Sequence, residues 1–158
     1  MLFRDNYDFL SNFYECSVKW GGITYRNTEA AFQASKCTGI NEHMRVQFTT
    51  LTGSEAKKLG RKVPIRMDWE QVKVGIMHDI VYCKFKQNLD LAKKLIDTGN
   101  IEIAEDNTWG DRFWGKCKGI GKNVLGIILM QVREELKELF SEAEIITFRE
   151  KEKSDESI

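Results

Sequence analysis

The sequence predicts a predominantly helical α+β single domain with one small antiparallel sheet. Apolar residues recur at helical spacing in two long stretches, 69–87 and 124–140. A Gly21-Gly22 pair separates two short β-prone runs, and glycine supplies the positive φ that a tight hairpin turn needs. The chain has 158 residues, the size of one domain, with a 42% hydrophobic and 11% aromatic content that can build a core. Residues 1–149 are expected to form this domain, and the charged stretch 150–158 a disordered tail.

Taken in order, Asp8–Trp20 and Ile23–Arg26 flank the glycines and form the expected hairpin over 14–26. Asn12 lies between Ser11 and Phe13, where an amide stabilises a turn or meets a ligand. Asn27–Lys36 reads as a short helix capped by Asn27 or Thr28. At ~100° per residue, Glu29, Gln33 and Lys36 fall on one face, an acid, an amide and an amine able to hold a polar ligand. The competing reading is a solvated Glu/Lys face. Glu42–Leu51 is expected to be helical, and Ser54 to cap another short helix ending near Leu59. Arg61, Lys62 and Arg66 then cluster around Pro64, as phosphate ligands or as a solvated loop.

Asp68, with Gln71 three residues on, opens the longest helix as a capping-box variant. Val72, Ile76, Met77, Ile80, Val81 and Phe85 make a broad apolar arc that includes Lys84. A lysine there must pair, snorkel from the helix end, or lose its charge and become a usable nucleophile or base. Leu91–Ile96 is a further short helix. Ile101 and Ile103 alternate as in an extended segment at 101–104, followed by the adjacent acids Glu105 and Asp106 and by Trp109-Gly110. Acids beside an aromatic plate suit a sugar–base bond; a structural tryptophan over an Asp/Asn turn is the alternative. Residues 111–122 read as a Gly/Lys-rich loop, and Asn123 as the cap of the last helix. Lys122 and the free amides there could bind an anion. Leu125, Ile128, Leu129, Val132, Leu136 and Leu139 form a core stripe.

Twenty-four basic and 24 acidic residues give zero formal charge, so no long-range pull toward nucleic acid or a membrane is expected. No apolar run approaches the ~18 residues of a membrane span, and MLFRDNYDFL has no basic region followed by an apolar core, so neither a span nor a signal peptide is expected. Cys16, Cys37, Cys83 and Cys117 form no C-x-x-C pair and accompany only His43 and His78, so neither a metal nor any other cofactor is called for. Free thiols in a reducing cytoplasm are the expectation.

The ordered set S-N-F-Y (11–14), T-E-x-x-F-Q-x-x-K (28–36), L-G-R (59–61) before D-W (68–69), Met77 with K-F-x-Q-N (84–88), T-G (98–99), E-D-x-x-W-G (105–110) and G-x-N-x-L-G-x-x-L-M (121–130) with Arg133 resembles the NADAR/YbiA family over roughly residues 7–135. No single element is specific; the order is. The resemblance implies a YbiA-like domain and a cytoplasmic, metal-independent N-glycosidase. Its implied substrates are phosphorylated ribosylamino-pyrimidine intermediates of riboflavin synthesis or ADP-ribosylated guanine, nucleic acid entering only as such a modified substrate. It points to Glu29 and to Glu105, Asp106 and Trp109. Two departures stand out: the two acids are adjacent here rather than separated, and Ala30 replaces the histidine that commonly follows the glutamate of the first motif.

Cleaving a C1–N bond develops positive charge on the ribose, which a carboxylate stabilises while a second acid or water protonates the base. A ring-opened sugar offers a Schiff-base route through a lysine, which the resemblance favours, with Lys36 ranked ahead of Lys84. Glu29, Lys36, Glu105 and Asp106 are thus the expected catalytic set. Asn12, Phe13, Gln33, Arg61, Lys84, Trp109, Lys122 and Asn123 are expected to bind substrate, with Trp109 or Phe13 stacking on the base and Arg61 and Lys122 holding phosphate. The alternative function is a non-catalytic ADP-ribose or nucleotide-binding module.

Overall fold

The structure, a computed structural model, describes residues 1–140 and 142–157. The Gly-Gly turn closes the antiparallel hairpin of β1 (Val18–Trp20) and β2 (Ile23–Tyr25), in the register Val18 to Tyr25 and Trp20 to Ile23. Both glycines take positive φ, 60° and 79°. The hairpin leads into α1 (Thr28–Ala34), where the Asn27 side chain accepts a hydrogen bond from the Ala30 amide at 2.8 Å. Every residue of α1 is buried, so its polar face is no solvated surface.

A 3₁₀ helix, Gly39–Phe48, follows and covers most of the Glu42–Leu51 stretch expected to be helical. The next helix, α2 (Gly53–Gly60), is capped by Thr52 rather than Ser54: Thr52 and Glu55 form the reciprocal capping box. Then come α3 (Trp69–Gln87), α4 (Leu89–Asp97) and α5 (Val124–Leu139). Asp68 makes no cap bond on α3, because Arg66 takes its carboxylate at 2.6 and 3.1 Å.

The core lies where α1, α3, α4 and α5 meet, and Leu125, Ile128, Leu129, Val132 and Leu136 all point into it. Leu139, one turn further, is exposed. No strand forms at 101–104. The chain is instead strand-like at β3 (Asp106–Asn107), paired in parallel with β4 (Lys116–Cys117) inside the stretch expected to be loop. A helix, α6 (Glu142–Glu156), covers most of the stretch expected to be a disordered tail. Arg149 pairs with Asp97 and Lys93 with Glu152, tying it to α4. Ile158, the last residue of that expectation, lies outside the described residues. No helix among the described residues is long and apolar enough to cross a membrane.

Candidate active site

Several distant parts of the chain surround one cavity of about 990 Å³. The loop ahead of the hairpin supplies Asn12 and Phe13, and α1 supplies Glu29, Phe32 and Gln33. From α2 come Ser54, Lys57 and Lys58, with Arg61 just beyond its end. The 105–114 segment supplies Glu105, Asp106, Asn107, Trp109, Asp111 and Trp114. Phe3 and Arg4 complete the wall.

Glu29 is 8% exposed and Gln33 7%, one helical turn apart, and the Gln33 amide donates to Glu29 Oε1 at 2.8 Å. The Glu29 backbone N–H donates to the Asn12 carbonyl at 3.0 Å, which fixes the loop carrying Phe13 against α1. Burial pushes the Glu29 carboxyl above its ordinary value; the Gln33 hydrogen bond and the charges of Lys57 and Lys36 oppose that. Burial, reinforced by Asp111 and Glu29, pushes Glu105 up to about 7, against the pull of Lys57. The charges of Asp111 and Lys57 thus act on both Glu29 and Glu105, the acid raising and the lysine lowering each.

Glu105 owes its position to Asn123. That residue sits at the start of α5 in the left-handed region, φ 53°, and its side chain makes no helix cap. It donates instead to the Ile103 carbonyl at 2.9 Å and accepts from the Glu105 backbone N–H at 3.0 Å. Asn123, expected to bind substrate, thus lies buried behind the wall. Asp106 does line the cavity, half-buried, with its carboxylate paired to the Met1 amino group. The Asn107 side chain pairs in both directions with the backbone of Asp111, at 2.8 and 3.1 Å. Asp111 Oδ1 accepts from the Phe113 and Trp114 amides, both at 3.0 Å. These bonds hold the turn on which Trp109 projects, 62% exposed.

Besides Asn123, three expected residues fall outside the cavity lining. Helix α1 ends at Ala34, so Lys36 leaves the Glu29 face; its ammonium donates to the Gly60 carbonyl at 3.2 Å and lies 5.8 Å from the Trp69 ring. Lys84 neither snorkels nor reaches the cavity. It is 1% exposed and donates to the carbonyls of Phe9 at 2.6 Å and Ser11 at 3.0 Å, beside the Tyr14 and Phe85 rings. Burial lowers it to about 8. Lys122 is exposed and lies over Phe113 at 5.7 Å.

The sequence pattern does not single out Lys57, Lys58, Asp111 or Trp114. A signal for the lysines exists: Ser54, Lys57, Lys58 and Arg61 stand at i, i+3, i+4 and i+7, one continuous face of α2. That face lines the cavity with cations, and the charge of Lys57 acts on both Glu29 and Glu105.

Residues 2–137 match the family model of the NADAR domain. A riboflavin biosynthesis protein of Vibrio vulnificus is 39% identical over 137 residues, 85% of this chain; this chain spans 37% of that protein. N-glycosidase YbiA of Escherichia coli is 35% identical over 136 residues, covering 84% of this chain and 83% of that one. An N-glycosidase of Nostoc punctiforme is 34% identical over 140 residues, covering 85% and 89%. The NMR structure of Escherichia coli YbiA is 34% identical and superposes with a TM-score of 0.74, covering 84% of this chain and 79% of that one.

Proposed function

This chain belongs to the NADAR domain family and is an enzyme of the N-glycosidase class, and on that premise we propose that it hydrolyses the C1–N bond between a phosphorylated ribose, or ADP-ribose, and a nucleobase. The observation that carries this reading is the meeting of buried Glu29 and Glu105 in one cavity that half-buried Lys57, Trp109 and Trp114 also line. Arg61, Lys58 and Arg4 form the cationic wall for phosphate, and Phe13 and Trp109 the plates for the base.

In this mechanism Glu105, held protonated up to about neutral pH, gives its proton to the departing base. Glu29, as the anion, stabilises positive charge at C1. The lysine route runs through Lys57. Its Nζ, once it has given up a proton to the Glu29 carboxylate, adds to C1 of the ring-opened N-glycosyl imine, and the C1–N bond to the base breaks as the base takes the Glu105 proton. Water then hydrolyses the lysine imine, releasing the sugar aldehyde and restoring the amine. Lys36 and Lys84, occupied with backbone carbonyls, serve the architecture. Asp106 helps to anchor the 104–106 segment, to which the Met1 amino group also donates through the Ala104 carbonyl.

Incubation with a panel of ribosylated bases tests the reading. It should include a phosphorylated ribosylamino-pyrimidine and ADP-ribosylated guanine, with released base followed by chromatography. Binding without base release would establish a nucleotide-binding module instead.

A pH profile gives a second expected result. Glu105 acts as a donor only while protonated, so turnover should fall as pH rises through about 7. Glu105→Gln should remove that limb and lower the plateau by about a hundredfold. An unchanged alkaline limb in this variant would assign the acid elsewhere. The sign for stability follows from the same elevation: ionising Glu105 costs the fold, and the cost grows as pH rises from its ordinary value of 4.5 through about 7.

A further inference from the structure

Gly60 lies within α2 at a negative φ, buried, in a position where alanine is the better helix former. Backbone conformation therefore gives no reason for glycine there. The reason is on α1. A Cβ on Gly60 would collide with Gln33, on Oε1 and within 2.6 Å of Cδ and 3.1 Å of Cγ. The Gln33 carboxamide thus occupies the space that a side chain on Gly60 would fill. The Gly60 carbonyl is meanwhile tied to α1 by the Lys36 ammonium at 3.2 Å.

The orientation of this carboxamide is unusual in what it leaves unsatisfied. Gln33 Nε2 donates to Glu29 at 2.8 Å, while Gln33 Oε1 is buried with no hydrogen-bond partner among the described residues. A buried acceptor without a partner is destabilising, so this arrangement is held by what the other end of the amide does. That end is a neutral donor on Glu29, in a pocket whose burial works against a charged carboxylate.

We infer that Gly60 and Gln33 act together as a positioning pair for Glu29: the missing side chain of Gly60 makes the space in which Gln33 turns its amine onto the carboxylate and holds it as the anion that the proposed reaction uses. The inference rests on the role proposed for Glu29 above. The other charged groups facing Glu29 are Lys57 from α2, Lys36 after α1, and Asp111 and Glu105 from the 105–114 segment. The lysines favour the anion and the two acids disfavour it. Gln33 is the neutral member of this set, so its removal changes no charge.

The test uses the intact protein with ¹³C-labelled glutamate side chains. The Glu29 carboxyl signal, identified by its loss in Glu29→Gln, is titrated in wild type, in the near-isosteric Gln33→Met, in Gly60→Ala and in the double variant. The Glu29 midpoint should rise in Gln33→Met. It should rise similarly in Gly60→Ala, which keeps the glutamine but displaces it. The double variant should match either single one, because both changes break the same bond. Where base release is measurable, kcat/KM below neutral pH should fall about tenfold relative to wild type, and less at higher pH.

The carboxyl titration needs no substrate, so it reads the pair even in a protein that releases no base. An unmoved midpoint in Gln33→Met with a native amide spectrum would overturn the inference. Additive shifts in the double variant would also overturn it, since Gly60 would then act by another path. If Gln33→Met does not fold, Gly60→Ala decides alone: a wild-type midpoint rejects the pair, and a raised one supports it.

Discussion

Glu29→Gln is expected to lower turnover by a hundredfold or more while leaving ligand affinity within a few-fold of wild type. The substitution keeps the shape of the side chain, and the new amide oxygen can still accept the Gln33 hydrogen bond that the carboxylate accepts at 2.8 Å. What it removes is a negative charge at a site 92% shielded from water, Glu29 being 8% exposed. Charge that develops on C1 only in the transition state is stabilised strongly by an anion fixed in such a place. Removing one positioned charge-stabilising or acid/base group typically lowers rate by roughly 10²–10⁴-fold. Single-turnover base release, measured beside calorimetric binding of the product sugar phosphate, separates the two quantities. Full base release by Glu29→Gln would leave Glu29 as a packed structural residue and end the proposed mechanism.

Lys57→Met is expected to lose turnover on the order of a thousandfold, within the range for a removed catalytic group. It should also abolish covalent trapping. Borohydride present during turnover reduces a lysine–sugar imine to a stable secondary amine, so the wild type should accumulate a sugar adduct that peptide mass spectrometry places on Lys57. Lys57 is the half-buried lysine of the cavity wall, and its charge acts on both Glu29 and Glu105. Glu29, the carboxylate that is not the proton donor to the base, can take the proton that the amine must shed before attack. Lys58, its exposed neighbour, provides the control: Lys58→Met should weaken binding of a phosphorylated substrate and leave trapping intact. An adduct on Lys36 or Lys84 would move the nucleophile, and turnover without any adduct would favour direct attack by water.

Much of the architecture was legible because its signals are local. The 3.6-residue stripe of α5, the arc of α3 and the Gly-Gly turn are each contained in a few consecutive residues. The Thr52-x-x-Glu55 box was also in plain sight, although Ser54 offers a second oxygen two residues later and competes with it. The pairing of Asp106–Asn107 with Lys116–Cys117 was not legible. It is parallel, spans a turn held by side-chain bonds from Asn107, and has no periodic signature.

For the site, helical spacing was enough to place Glu29 beside Gln33. It failed for Lys36, because the projection assumed a helix that ends two residues earlier, at Ala34. The position of Lys57 near Glu29 depends on how α2 packs on α1, a contact between segments that share no pattern. Lys84 shows the reverse case. Its place in an apolar arc was clear, but the carbonyls of Phe9 and Ser11 that hold it come from more than seventy residues away.

That enclosed amine also gives the protein an internal gauge of its own opening. An acylating reagent in water can modify an amine only where it can approach it, and Lys84 is 1% exposed. In the folded molecule it should stay unlabelled while surface lysines react within minutes. Its labelling rate then reports how often the 9–14 loop lifts from α3, the same loop that carries Asn12 and Phe13 to the cavity. A slow reagent and a mass spectrometer would therefore read the breathing of one cavity wall without a probe having to be built into the chain.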